Sequence, residues 1–133
     1  MNYVRIGENS NIQDNATIHT DAGNPTVMGK NVSVGHNAIV HGATVDDDII
    51  IGMGAIILNG AHIRSGCVVA AGAVVRENFE TQENSLLAGV PAELKRTGES
   101  LHDYAFANAR SYQGLRDLYI LGKVERYKPK HRN

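Results

Sequence analysis

Residues 45–75 read VDDDIIIGMGAIILNGAHIRSGCVVAAGAVV, and this stretch decides the fold because an apolar residue returns at every sixth position. The returning residues are Val45, Ile51, Ile57, Ile63, Val69 and Val75. A helix favours apolar steps of three and four, and a half-buried strand favours steps of two, so a sustained period of six fits neither. Period six is typical of a parallel β-helix, in which each hexad supplies one short strand and one corner.

The same period extends toward the N-terminus, with two interruptions. The earlier runs are Ile6, Ile12 and Ile18, then Met28, Val34 and Val40. Ten residues separate Ile18 from Met28, so about four extra residues must bulge outward within His19–Pro25, and only five separate Val40 from Val45. Irregular segments in a regular scaffold often carry function, and both of these lie beside histidines.

Three hexads are expected to close one triangular coil, with the apolar residue directed to the axis. Stacked coils would pair their backbones about 4.8 Å apart. A small residue four positions later would pack beside the apolar one, as at Ala55 and Ala61. Gly often follows the apolar residue directly, as at Gly7 and Gly52, and permissive residues at the corners allow the chain to turn. The first coil would leave an open sheet edge near Tyr3–Ile6.

The hexads fade after Val75, and the segment Asn84–Pro91 is predicted to be the last strand and its exit. We therefore predict an all-β solenoid, a parallel β-helix of hexapeptide repeats, over residues 1–92. A C-terminal α-helix and a basic tail are predicted over residues 93–133, with the tail from Lys123 to Asn133 solvated.

The C-terminal helix is predicted from apolar residues at helical spacing. They are Leu101, Tyr104, Ala105, Tyr112, Leu115, Leu118 and Tyr119. Ser100 would cap the first turn, with Asp103 completing an imperfect capping box, and Gly122 would end the helix. We expect this helix to lie along one face of the solenoid, with its aromatic side chains packed rather than forming a ligand site.

Composition limits the classes of function. A length of 133 residues suits one domain, and a formal net charge of −1 gives no indication of nucleic-acid binding. No stretch approaches the roughly 20 apolar residues of a membrane span, and no secretion leader is visible, so a cytoplasmic location is expected. Cys67 is the single cysteine and occupies a small-residue position, which favours a buried structural thiol over a nucleophile.

The repeat fixes where three histidines lie. His19 follows Ile18 directly and His41 follows Val40 directly, one coil later, so the two imidazoles should stack on one outward-facing phase. Strands about 4.8 Å apart bring such a pair close enough to bind one ion. His36 falls on the preceding face near a corner, so a neighbouring subunit of a cyclic trimer could bring it to that pair.

Three neutral imidazoles with an open fourth position would describe a catalytic zinc site. The alternative is that all three are ordinary surface histidines on a solenoid. His62 has no matching partner one coil away, His102 lies in the helix region and His131 in the tail, so all three are interpreted as surface residues.

The chain resembles the gamma-class carbonic anhydrases and their close relatives from about Ile6 to Ala92. The segments that carry the resemblance are Gly7–Asp14, Ile18–His19, Val34–Asn37, Val40–Gly42, Ile51–Ala55 and Leu87–Ala92. The resemblance implies a left-handed β-helix and a homotrimer with zinc at its interfaces, where iron or cobalt can also serve.

The resemblance also implies roles for individual residues. His19 and His41 would bind the metal from one subunit and His36 from its neighbour. Gln13 matches a residue that orients the metal-bound hydroxide or its substrate, a task suited to an amide that both donates and accepts hydrogen bonds. Asp14 would support the site and the interface, and Asn11 lies near the same pocket. The implied reaction is the reversible hydration of carbon dioxide to bicarbonate.

The sequence departs from the family in two respects. The upstream Arg-Gly-Asp segment has no matching position in this chain, because Arg5 lies in a different segment. The acidic loop that carries a proton-shuttle Glu is also absent, and the loop after His19 offers only Asp21. Activity could therefore be impaired, with slow proton transfer.

Several functions remain open. The alternatives to a carbonic anhydrase are a hexapeptide acyltransferase using acetyl-CoA, a thioesterase-like hydrolase, and a metal-stabilised assembly protein with little or no catalysis. The fold alone does not choose among them.

Overall fold

The computed structural model describes residues 2–125, which form short strands followed by one long helix. In chain order the elements are β1 (Val4–Ile6), β2 (Asn11–Ile12), β3 (Thr17–His19), β4 (Thr26–Met28), β5 (Ser33–Val34), β6 (Ile39–His41), β7 (Thr44–Val45), β8 (Ile50–Ile51), β9 (Ile56–Ile57), β10 (His62–Ile63), β11 (Val68–Val69), β12 (Val74–Val75), β13 (Ser85–Ala88), β14 (Glu93–Thr97) and α1 (Glu99–Ile120).

The strands stack into three sheets, which are the three faces of a solenoid. The first face stacks β1, β4, β7 and β10, the second stacks β2, β5, β8, β11, β13 and β14, and the third stacks β3, β6, β9 and β12. Strands of successive coils pair in parallel, as Val34 does with Ile51 on the second face. The predicted parallel β-solenoid with a C-terminal helix is therefore confirmed.

The solenoid interior is built by the residues that recur with period six. Their side chains are fully buried from the second coil onward, as for Met28, Val40 and Ile57. Met28 pairs with Val45, and Val40 pairs with Ile57, so both interruptions of the repeat are absorbed at corners without loss of phase.

The first coil is open on one side, as the sequence predicts. Ile6 and Ile12 remain 42% and 40% exposed, although they occupy the same inward phase. The strands β1 and β2 each pair with one neighbour only among the described residues. Among residues 2–125, no further coil covers the apolar side chains of these two strands.

In the regular hexads, the corners use permissive residues three positions after the inward residue. Left-handed backbone occurs there at Asn9, Asn15, Asn31, Asn37, Asp48, Gly54, Gly60, Gly66, Gly72 and Asn78. The shortened corner after Val40 uses Gly42 instead, with φ of 58°. Glycines that directly follow the inward residue have another role, because a Cβ at Gly52 would lie 2.5 Å from the backbone nitrogen of Ala71 in the next coil.

The C-terminal part differs from expectation in two details. The last strand is β13, inside the predicted segment, but β14 follows it in antiparallel pairing, and sequence analysis did not anticipate this strand. The helix begins at Glu99 after Gly98 without a side-chain hydrogen bond at its cap, so the predicted Ser100 cap is wrong. Gly122 adopts φ of 65° directly after the cap residue Leu121, as expected of a helix stop.

The helix lies along one face of the solenoid, as predicted; that face is the second, where the helix contacts β5 and β11. It buries Leu101, Ala105 and Ala109 against the solenoid. Tyr104 and Tyr119 are 61% and 64% exposed, so the expectation that the helix aromatics pack is wrong for these two.

No helix among residues 2–125 combines the length and apolarity that crossing a bilayer requires. The basic tail lies outside the described residues from position 126 onward.

Candidate metal centre

His19 and His41 lie side by side at the ends of β3 and β6 on the third face. The parallel register pairs them directly, as the repeat predicts. Their ring centroids are 4.9 Å apart, and the Nδ1 atom of His19 lies 3.0 Å from the Nε2 atom of His41. Two ring nitrogens therefore already point at one another on an accessible surface.

The second nitrogen of His41 is held by a residue that sequence analysis missed. Its Nδ1 atom makes a short hydrogen bond with the Oδ1 atom of Asn59, which follows β9 one coil further along. The Nδ2 group of Asn59 in turn donates to the Oδ2 atom of Asp21 at 2.5 Å. The stacking of coils was the available signal, because Asn59 lies at the same corner of the solenoid as His41.

The loop inserted after His19 is ordered by its own hydrogen bonds. Backbone N–H groups of Gly23 and Asn24 each donate to Asp21 Oδ1 at 2.8 Å. The Gly23 donor, with further help from Asn24, lowers the pKa of the Asp21 carboxyl below its usual value. The buried Thr26 hydroxyl donates to the His19 carbonyl at 2.6 Å and accepts from Gly42 N–H at 2.9 Å. Thr26, the first residue after the loop, thus ties the ends of both histidine strands together.

A second polar group gathers at the corner between the second and third faces. Asn11 Nδ2 donates to Ser33 Oγ at 2.8 Å, and Gln13 Nε2 donates to Asn11 Oδ1 at 3.1 Å. Asp14 Oδ2 lies 3.6 Å from His36 Nδ1. The predicted residues Asn11, Gln13, Asp14 and His36 therefore occupy one corner, at the end of β2 and β5.

A cleft of about 370 Å³ opens beside this corner, between the second face and α1. Gln13, His36, Met53 and Tyr112 line it together with Asn108. The Oδ1 atom of Asn108 is buried and has no hydrogen-bond partner among the described residues. A ligand in the cleft could supply the missing donor.

The two clusters of polar side chains, one around His19 and His41 and the other around Asn11 and His36, do not meet within one chain. Among residues 2–125, no three His, Cys, Asp or Glu side chains converge closely enough to hold a metal ion. His19 and His41 end their strands on the third face, whereas His36 precedes that face by one corner. One chain consequently offers a pair of imidazoles at one corner and the third imidazole at another.

The other histidines and the cysteine lie apart from both groups. His62 Nε2 is 2.8 Å from Asp46 Oδ1, and His102 Nε2 is 3.1 Å from Asp48 Oδ2, so both make partly exposed ion pairs when protonated. His131 lies outside the described residues. Cys67 is buried, and its burial raises the pKa of the thiol, which confirms the expected buried cysteine.

Comparison with known proteins places this architecture in a family. The sequence model described as the hexapeptide repeat of succinyl-transferase matches residues 25–59 and 54–77. A probable carbonic anhydrase of Methanocaldococcus jannaschii is 46% identical over 96 residues, covering 72% of this chain and 60% of that protein. The mitochondrial gamma carbonic anhydrase 2 of Arabidopsis thaliana is 36% identical over 127 residues, covering 90% of this chain and 45% of that protein.

A solved structure with a transferase-family name shares the same architecture. The hexapeptide transferase family protein from Anaplasma phagocytophilum is 35% identical, with a TM-score of 0.81, and the match covers 87% of this chain and 69% of that one. The chain spans less than two thirds of the length of the two carbonic anhydrase relatives. The chain belongs to the gamma carbonic anhydrase-like family of hexapeptide-repeat proteins.

Proposed function

We propose that this protein is a metal-dependent enzyme that hydrates carbon dioxide reversibly to bicarbonate at the interfaces of a homotrimer. The observation that carries the proposal is the His19–His41 pair, whose Nδ1 and Nε2 atoms lie 3.0 Å apart. The names of the two carbonic anhydrase relatives support the choice of substrate.

The donor set of this pair fits a transition-metal ion. Two imidazole nitrogens that each lie about 2.0–2.1 Å from a tetrahedral zinc ion are roughly 3.3 Å apart. The observed 3.0 Å needs only a small opening of the pair. His41 uses Nδ1 for Asn59, so its Nε2 atom is the one left to coordinate. Zn²⁺ is the proposed ion, and Fe²⁺ or Co²⁺ suits the same imidazole ligands.

The third ligand in this proposal is His36 of a neighbouring subunit. The pair and His36 occupy two different corners of the same prism, so a contact that joins them is heterologous. A heterologous contact repeats head to tail and closes into a ring when the rotation allows it, and a triangular prism suits a ring of three. Each interface would then hold one complete site.

The remaining residues are assigned by the chemistry of their contacts. When bound, a zinc ion lowers the pKa of a coordinated water to about 7 and so supplies hydroxide at neutral pH. The Gln13 amide is fixed by Asn11, which is itself fixed by Ser33, and this leaves the Gln13 carbonyl and one N–H to orient substrate. Asp14 lies close enough to His36 to steady its ring.

The test combines metal analysis with an assay of carbon dioxide hydration. We expect the purified protein to form trimers holding close to one transition-metal ion per chain, and a chelator to abolish both metal and activity. His41→Ala should lose the metal and weaken the trimer, whereas the control His62→Ala should keep both. A metal-free but active protein would refute the proposal, as would full metal occupancy in His41→Ala. A metal-loaded, inactive trimer would favour the assembly protein instead.

A second candidate is a hydrolase or transferase acting on an acyl thioester, and the cleft favours it. A volume of about 370 Å³ is far more than carbon dioxide needs and falls in the range of small-molecule sites. The apolar wall around Met53 suits an acyl chain, and Asn108 Oδ1 offers an acceptor that no described residue uses. Hydrolysis of short acyl-CoA esters by the metal-loaded protein, without carbon dioxide hydration, would select this candidate.

A further inference from the structure

The short hydrogen bonds behind His41 form a continuous chain across three coils. Asp21 belongs to the loop of the first coil, His41 to the second coil and Asn59 to the third. Asn59 Nδ2 donates to Asp21 Oδ2 at 2.5 Å, and Asn59 Oδ1 faces His41 Nδ1. This series of hydrogen bonds ends at the imidazole of His41, which is one of the proposed metal ligands.

The direction of each bond follows from the chemistry of Asp21. An ionised carboxylate only accepts hydrogen bonds, so Asn59 must turn its NH₂ group toward it. The amide oxygen of Asn59 then faces His41, and since that oxygen also only accepts, the proton of the neutral imidazole must be on Nδ1. The Nε2 atom of His41 is left with its lone pair directed at His19.

Without the hydrogen bonds to Asn59 and Asp21, the tautomer of His41 would be undetermined. His19 Nδ1 and His41 Nε2 are 3.0 Å apart, and either imidazole could donate that hydrogen bond to the other. A His41 ring protonated on Nε2 could not offer that atom to a metal. The Asp21 carboxylate therefore determines, through the Asn59 amide, which ring nitrogen of His41 carries no proton.

Both interruptions of the hexad repeat serve this arrangement. The inserted loop presents Asp21, whose Oδ1 atom is anchored by the backbone of Gly23 and Asn24 while Oδ2 reaches Asn59. The shortened corner places Gly42 beside the amide, and a Cβ at Gly42 would lie 2.8 Å from Asn59 Oδ1. The inserted loop and the shortened corner thus both lie against the side chain of Asn59.

We propose that Asp21 and Asn59 are positioning residues, which fix the tautomer and ring orientation of His41 so that Nε2 is ready for a metal ion. This inference rests on the proposed function for its purpose, but not for its geometry. Partners that hold the second nitrogen of a metal-binding histidine commonly change metal affinity by roughly 10- to 100-fold when they are removed.

The experiment reads the tautomer directly in the metal-free protein. Long-range ¹H–¹⁵N NMR spectra at alkaline pH distinguish Nδ1–H from Nε2–H imidazole. We expect His41 in the unmodified chain to be an Nδ1–H tautomer, and Asn59→Leu to give a mixture or the Nε2–H form. The double variant Asp21→Asn with Asn59→Asp should keep Nδ1–H, because it exchanges the amide and the carboxylate: the amide at position 21 donates to the carboxylate at position 59, which accepts from His41 Nδ1. Because no metal is present, the outcome is independent of whether the proposed function is correct.

Metal affinity gives the second measurement, by competition of Co²⁺ or Zn²⁺ with a chromophoric chelator. Asn59→Leu and Asp21→Ala should each weaken binding roughly 10- to 100-fold, and the double variant Asp21→Asn with Asn59→Asp should recover much of the loss. Glu77→Leu is the matched control, since Glu77 occupies the same hexad phase one coil further along and is exposed. An Nε2–H tautomer in the unmodified protein, or an unchanged tautomer in Asn59→Leu, would overturn the inference. Equal losses of affinity in Asn59→Leu and Glu77→Leu would also overturn it.

Discussion

The stability of the solenoid should fall toward its open first coil, and one pair of substitutions measures this. Ile12 and Ile51 occupy the same inward phase of the second face, on β2 and β8. Ile51 is fully buried between Val34 and Val69, whereas Ile12, within the described part of the chain, pairs with Val34 alone and is 40% exposed. The same change, Ile to Ala, therefore removes the same atoms from two different surroundings.

The expected losses follow from burial. Truncating a fully buried Ile removes about 2.4 kcal/mol of transfer free energy, at about 0.8 kcal/mol per methylene-sized group. A closed cavity adds to this, so Ile51→Ala should lower the free energy of unfolding by about 3.5 kcal/mol. Ile12 is only partly buried and leaves no closed cavity, so Ile12→Ala should lower it by about 1.4 kcal/mol.

Urea unfolding followed by circular dichroism provides the two free energies, with both variants compared at one protein concentration because assembly would shift the midpoint. The reasoning is refuted if Ile12→Ala costs as much as Ile51→Ala. Such a result would mean that the first coil is covered in solution, by another chain or by another segment.

Three further outcomes are expected. Gly52→Ala should lower the free energy of unfolding by about 3 kcal/mol, because the new Cβ would lie 2.5 Å from a backbone nitrogen of the next coil. In the same urea assay Gly54→Ala should lower it by about 1–2 kcal/mol, because Gly54 has φ of 68° but free space around it. Ser100→Ala should leave the thermal midpoint unchanged, since no side chain caps the helix, and a drop worth about 1 kcal/mol would contradict the observed start of α1. Burial raises the pKa of the Cys67 thiol above its ordinary value of 9.0. The thiol's contribution to the free energy of unfolding is therefore complete below pH 9.0 and declines as the pH rises from 9.0 toward the raised pKa. In urea titrations at several pH values, a Cys67→Ala variant should lack this decline.

Period six was sufficient to predict the faces, the coil stacking and the register of the histidines. The reason is steric: an inward apolar residue is needed once per face, so counting in sixes assigns every residue of a regular hexad to the interior, the outside or a corner. The stacking of His19 on His41 follows from that count alone and is confirmed by the parallel register. The residue roles and the trimer stay predictions.

Other features depend on contacts that a period does not encode. The strand β14 forms because β13 offers an unpaired edge, and nothing in the Glu93–Thr97 segment alternates clearly between apolar and polar residues. The glycine at position 52 is required by a neighbouring coil, not by the local turn. Asn59 reads locally as an ordinary corner residue before Gly60, and its partner Asp21 is 38 positions earlier in the chain.

The departures from the repeat explain why the candidate site lies at this corner. A perfect solenoid stacks equivalent residues directly above one another, which suffices to pair two imidazoles but leaves nothing to hold the far nitrogen of either ring. One loop longer than its hexad lets Asp21 reach across to the third coil, and the shortened corner sets Gly42, which has no side chain, beside the Asn59 amide. The regular hexads thus set the spacing of the histidines, and the irregular ones set their chemistry. In other solenoids of this family, an insertion after the first histidine should therefore be examined together with the corner residue two coils above it.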